Sequence, residues 1–257
     1  MCYDDNARPP LPRGEVAATN TADLVLTSAD GTQFAAYAAA PESDPIAQLI
    51  ILPDIRGLHG FYKDLALRFA QIKIAAVAID YFGRTAGLTA RDDSFEFMPH
   101  VQQLKPDQVF ADVRAALDYQ QGAVGPDQAR FTLGFCMGGT LSFLCGTQEL
   151  GLTGVVGFYA GLSRDFGGGT LLDRAAQIRV PALGLFGGAD QGIPVAQVQA
   201  FDRALDTAGV PHTITIYPDA PHSFFDRRAT DFAAASADAW QRVYDFVSTQ
   251  AATTTHA

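Results

Sequence analysis

The 257-residue chain reads as an α/β domain, a mixed and mostly parallel sheet of about eight strands with helices on both faces. Three observations point there. Two strand-like stretches, 23–28 and 33–39, flank the turn Asp30-Gly31, which is a hairpin signal. Six short apolar runs follow, at 48–53, 74–79, 130–135, 154–159, 182–186 and 213–217. Most lack the polar–apolar alternation of a half-exposed strand, so they read as strands buried on both faces. The stretches between them carry apolar residues at three- and four-residue spacing, the helical period.

The helices follow in order. Residues 61–70 gather Leu65 and Phe69 on one face, and 106–119 align Val109, Phe110, Val113, Ala116 and Leu117. The run at 130–135 passes through a glycine-rich turn into an apolar helix at 140–145. Residues 195–207 align Val198, Phe201, Ala204 and Leu205. Residues 230–247 align Phe232, Ala235, Ala239, Val243 and Phe246, with Trp240 and Val247 widening the face. The expected organisation is an irregular arm (1–22), a single domain (23–248) and a small polar tail (249–257). Residues 85–103 are weakly periodic, as a partial lid would be.

Composition narrows the class. With 48 % hydrophobic and 18 % charged residues there is enough apolar surface for a core, which excludes wholesale disorder. A net charge of −10 repels phosphate backbones and argues against nucleic acid as a partner. The longest apolar runs fall far short of the ~20 residues of a membrane helix, so no membrane partner is expected. The start, Met1-Cys2-Tyr3-Asp4-Asp5, lacks the basic and apolar regions of a secretory signal. Three cysteines without metal-ligand spacing read as reduced thiols in the cytoplasm, and no metal is expected.

The chemistry gathers at strand ends. Gly134-Phe135-Cys136-Met137-Gly138-Gly139 is a G-x-nucleophile-x-G elbow with cysteine as the nucleophile. Its glycines let neighbouring backbone pass the strained turn. The helix that follows points its N-terminus at Cys136 and favours the thiolate. The Met137 N–H is one oxyanion donor, and the Ile55 N–H on the loop after the run at 48–53 is the candidate second. Asp190 follows the run at 182–186, and His222 follows the run at 213–217. Taken singly, each has a plainer reading: a buried thiol, a turn carboxylate, a surface-loop imidazole. Nucleophile, acid and base in that order, each after a strand, make a catalytic triad of the α/β-hydrolase kind. Cys145 reads as core, Cys2 as part of the arm and His59 as a loop residue. Asp54 reads either as a loop cap or as a carboxylate facing the site. Arg84 reads either as a solvated arginine or as a rim guanidinium for a substrate carboxylate.

These segments, with Gly188-Ala189-Asp190 and Pro221-His222-Ser223-Phe224, resemble the dienelactone hydrolase (carboxymethylenebutenolidase) family of α/β-hydrolases over residues 23–247. The resemblance implies an α/β-hydrolase fold, Cys136 as nucleophile, His222 as base and Asp190 as its orienter. It implies oxyanion N–H groups from Ile55 and Met137, an acidic residue at Asp54 and a substrate-binding arginine at Arg84. A second such arginine is expected where Asp226 stands, with Arg227 one residue on. Tyr81 and Phe224 are expected to supply aromatic pocket surface. The implied reaction hydrolyses a small lactone or ester through a thioester acyl-enzyme, with no cofactor or metal. A thiolate is itself a good leaving group, so enol, phenol or thiol leaving groups suit it better than simple alkyl esters. A broad carboxylesterase or thioesterase and a non-catalytic binding protein of the same fold are the alternatives. Monomer and homodimer both remain open.

Overall fold

The computed structural model describes residues 7–11 and 16–254, so Cys2, His256 and parts of the expected arm and tail lie outside the described residues. Eight strands form one sheet: β1 (Thr19–Thr27), β2 (Gln33–Pro41), β3 (Ala47–Leu52), β4 (Ile74–Ile79), β5 (Ala129–Phe135), β6 (Gly154–Phe158), β7 (Ala182–Gly187) and β8 (His212–Tyr217). The helices are α1 (Gly60–Gln71), α2 (Gly83–Ala86), α3 (Met98–Val101), α4 (Pro106–Val124), α5 (Met137–Cys145), α6 (Leu171–Arg174), α7 (Val195–Ala208) and α8 (Ala233–Thr254). Strand order is β1-β2-β4-β3-β5-β6-β7-β8. β2 runs antiparallel to both its neighbours, and every other pairing is parallel.

The expectation of doubly buried strands holds at the centre. Every residue of β3, β4, β5 (Arg130 apart), β6 and β7 is buried. Adjacent residues of β5 reveal the two covered faces. The Phe131 ring meets Phe246 of α8, while the Thr132 hydroxyl pairs with that of Ser142 in α5 at 2.8 Å. On the α8 face, Phe69 of α1 packs on Trp240 with ring centres 4.8 Å apart. The polar residue in the apolar β3 reaches out of the strand through its amide: Gln48 Nε2 donates to the Gly125 carbonyl at 2.7 Å.

Two ends differ from expectation. β1 begins at Thr19, inside the expected arm, because a nine-residue ladder with β2 carries the pairing back to Pro41. The edge position leaves Thr19–Asp23 largely exposed, so no apolar pattern announces it. α8 runs to Thr254, through most of the expected tail; its alanines favour helix, and Val247 and Ala251 still bury against the core. Before β1, Arg8 pairs with Asp64 at 3.6 Å and the Ala17 N–H donates to the Gln71 carbonyl, both partners lying on α1. Among the described residues no helix is long and apolar enough to cross a membrane.

Candidate active site

In a parallel sheet the carboxyl ends of the strands share one edge, where binding sites of such sheets lie. β5 ends at Phe135, and Cys136 then adopts φ +55° and ψ −117° as the N-cap of α5. Such a conformation costs a non-glycine residue about 1–3 kcal/mol and persists only where its surroundings fix it. Here the Cys136 N–H donates to the Phe158 carbonyl at 3.1 Å, and the Cys136 carbonyl accepts the Thr140 N–H at 3.2 Å. The glycines are a steric requirement. A Cβ on Gly134 would stand 1.9 Å from the Gly138 carbonyl oxygen, and one on Gly138 would stand 2.1 Å from that of Pro53. The elbow therefore interlocks with the loop after β3, which carries Ile55.

Asp190 and His222 meet directly. Asp190 lies three residues past β7, and its Oδ1 accepts the N–H groups of Gly192 and Ile193 at 2.8 and 3.2 Å. Its Oδ2 lies 2.6 Å from His222 Nδ1. The Asp190 side chain is 2 % exposed and that of His222 31 %. A proton on Nδ1, donated to this carboxylate, leaves the basic lone pair on Nε2. One carboxylate oxygen of Asp190 closes the turn and the other meets the imidazole. Ser223, next to His222, is buried with φ +63° and turns the loop sharply there. Tyr159, which follows β6 with φ +35°, lays its ring 4.8 Å from the imidazole.

The loop after β3 is held by two tyrosines. The Asp54 N–H donates to the Tyr62 hydroxyl at 3.0 Å, and the Tyr81 hydroxyl donates to the Pro53 carbonyl at 2.6 Å and contacts that of Asp54. Asp54 Oδ1 accepts the Arg56 N–H at 2.8 Å, closing the turn from inside. Asp54 is wholly buried. Tyr81 is thus a support for this loop, 4 % exposed, where pocket surface was expected. Phe224 is likewise corrected: it is fully buried, packed among Phe158, Tyr159 and Tyr217. Arg84 departs most. Its Nε lies 3.0 Å from Asp30 and its Nη1 2.6 Å from buried Asp112, so two carboxylates already claim it. Arg227 is exposed, and its amide binds Asp226.

The segment expected as a partial lid is fastened down. Arg91 pairs with Asp80 at 2.7 Å, each side chain 1 % exposed, and stacks over Phe95 at 4.5 Å. Burial pushes the Asp80 carboxyl up, and Arg91 opposes the shift. Arg56, almost wholly buried, pairs with Asp93. His59 is the N-cap of α1 and 4 % exposed, with burial lowering its pKa to about 3. Cys145 lies in the core, where burial pushes its thiol up. Sequence reasoning missed Tyr62 as a backbone anchor, Tyr159 as the ring against His222 and Asp226 as its partner. Tyr159 directly follows β6, and that position at a strand end is the signal the sequence offers.

The strand order, the covered sheet and a sharp strand-to-helix turn at the carboxyl edge define an α/β-hydrolase. The chain belongs to the dienelactone hydrolase family, whose model matches residues 34–251. It is 32 % identical over 218 residues to a provisionally named carboxymethylenebutenolidase of Methylorubrum extorquens, covering 82 % of this chain and 75 % of that one. It is 30 % identical over 223 residues to the like-named Escherichia coli K12 protein, covering 84 % and 82 %. A crystal structure of a provisionally named dienelactone hydrolase from Klebsiella pneumoniae superimposes with a TM-score of 0.79 at 25 % identity, covering 90 % of this chain and 98 % of that one. The protein is a hydrolase of this family.

Proposed function

We propose that this hydrolase cleaves lactone or ester bonds of small molecules through Cys136, His222 and Asp190, by way of a thioester acyl-enzyme. The observation that carries the reading is the 2.6 Å contact between His222 Nδ1 and buried Asp190 Oδ2, which poises an imidazole as a base at the edge bearing the Cys136 turn. His222 Nε2 takes the thiol proton as sulfur attacks the acyl carbon. The N–H groups of Ile55 and Met137 hold the oxyanion, and the interlock of Gly138 with Pro53 brings their two loops together. Collapse expels the alcohol or enol, which takes the proton back from His222, and leaves the acyl group on sulfur. His222 then deprotonates water, which attacks the thioester; the acid leaves and the thiol is restored. A reducing, cytoplasmic setting suits such a thiol. The test is kcat/KM on ethyl, phenyl and enol esters of one acyl group. The reading expects the phenyl and enol esters to exceed the ethyl ester by ~100-fold or more, since each 1.4 kcal/mol of barrier is tenfold in rate. Equal values would overturn the thiol mechanism.

A further inference from the structure

The proposed base needs more than Asp190 to be aimed. The contact at His222 Nδ1 fixes the tautomer and one point of the ring. A single hydrogen bond leaves the imidazole free to turn about that contact, and the solvent at its half-buried side resists no such turn. Tyr159 meets the ring itself, with centroids 4.8 Å apart and planes at 53°. This tyrosine is the first residue past β6 and has φ +35°, a strained conformation for a residue with a side chain, kept only where the surroundings fix it. They do so here. Its N–H donates to the Leu185 carbonyl at 2.8 Å, and its buried ring packs among Phe135, Phe158 and Phe224. Its hydroxyl donates to Asp226 Oδ2 at 2.6 Å, while Asp226 Oδ1 accepts the amide of exposed Arg227. His222 and Asp226 lie four residues apart on one loop, so one side chain grips that loop at two points. Between them the Ser223 carbonyl accepts the N–H groups of Asp226 and Arg228 at 3.3 and 3.1 Å, which joins the two points into one turn.

We infer that Tyr159 is a positioning residue for His222: its ring fixes the plane of the imidazole, and its hydroxyl, through Asp226, anchors the loop that carries it. The inference rests on the ester-hydrolase reading above. Burial pushes the Asp226 carboxyl well above the ordinary carboxylate range, so it holds the phenol without setting a second negative charge beside the imidazole. The two halves of the reaction depend unequally on the aim of Nε2. A thiol, with an ordinary pKa of about 8.5, gives up its proton far more readily than water at about 15.7. A loosened imidazole therefore hinders attack of water on the thioester more than attack of sulfur on an aryl ester. Loss of the anchor should leave the acyl group waiting on Cys136.

The test is steady-state and stopped-flow hydrolysis of para-nitrophenyl acetate by the wild type, Tyr159→Phe and His222→Ala. Tyr159→Phe keeps the ring and removes the anchor. Its kcat should fall ~10-fold or more and its KM should fall with it, so that kcat/KM changes by less than ~3-fold. A burst of nitrophenol approaching one equivalent per protein should precede its slow turnover. Values of kcat and KM within ~2-fold of wild type would overturn the inference and leave the hydrolase reading standing. A fall in kcat at unchanged KM and without a burst, as partial unfolding would give, would also overturn it. If Tyr159→Phe does not fold, Asp226→Ala decides: it removes the partner of the hydroxyl, spares the ring, and should give the same split between kcat and kcat/KM. No hydrolysis by the wild type, or wild-type turnover by His222→Ala, would overturn the reading of the site, and the inference with it.

Discussion

The two sides of the carboxyl edge are built on different principles. At β5, β7 and β8, backbone turns present the side chains. Cys136 sits at a positive-φ kink where Gly134 approaches the Gly138 carbonyl and Gly138 that of Pro53, and Asp190 closes its own turn while reaching His222. At β3 and β4, side chains secure the backbone instead. Tyr62 and Tyr81 fix the loop after β3, while Arg56, Arg84 and Arg91 are held by carboxylates of other elements. One side sets its polar side chains by backbone turns, and the other spends its charged groups on holding loops. An arginine near a strand end is therefore no sign of substrate recognition until its partners are known.

The sharpest break between the two sides is Cys136→Ala. It should lower kcat on aryl esters by ~1,000-fold or more while leaving the urea midpoint nearly unchanged. Arg91→Ala should do the reverse. It strands Asp80 in the core without its partner and should cost ~3–5 kcal/mol of stability in urea unfolding, with kcat per folded molecule little altered. A stable Arg91→Ala protein with impaired kcat would mean that the arginine side of the edge is catalytic after all.

His59 sharpens the comparison through pH. Its folded pKa is about 3 against an ordinary 6.5, so the unfolded chain takes up a proton that the folded one refuses. The stability that neutral His59 contributes is therefore complete above 6.5 and lost as pH falls towards 3, by at most ~1.4 kcal/mol per pH unit. The raised carboxyls of Asp80 and Asp226 act with the opposite sign, so the informative curve is the difference between wild type and His59→Gln. That difference should shrink as pH falls across this window; a flat difference would show that His59 takes up its proton in the fold as readily as in the unfolded chain. The smallest effect expected is on selectivity. Arg84→Ala should change kcat/KM for carboxylated and neutral esters by the same factor, because its guanidinium is already paired twice. A selective rise in KM for the carboxylated ester would return Arg84 to substrate binding.

The same division explains what was legible in the sequence. The central strands and the residues at their ends could be read because apolar runs, glycine spacing and chain order are local signals. The edge strand β1 and the last turns of α8 could not, since pairing and packing extend them past any apolar pattern. The partners of Arg84, Arg91 and Arg56 lie 2 to 54 residues away along the chain or on other elements, and no local pattern records them. Tyr81 follows β4 and Phe224 lies on the loop after β8, but whether a side chain there faces the cleft or the core depends on contacts across the fold.

The central claim is that Cys136 carries the acyl group. The direct measurement is acid-quenched mass spectrometry of the protein after mixing with an aryl ester, followed by peptide mapping. The account predicts an acyl adduct on the peptide bearing Cys136, removed by neutral hydroxylamine as a thioester is, and absent from Cys136→Ala. An adduct on a different residue, or steady turnover by Cys136→Ala at the wild-type rate, would contradict it.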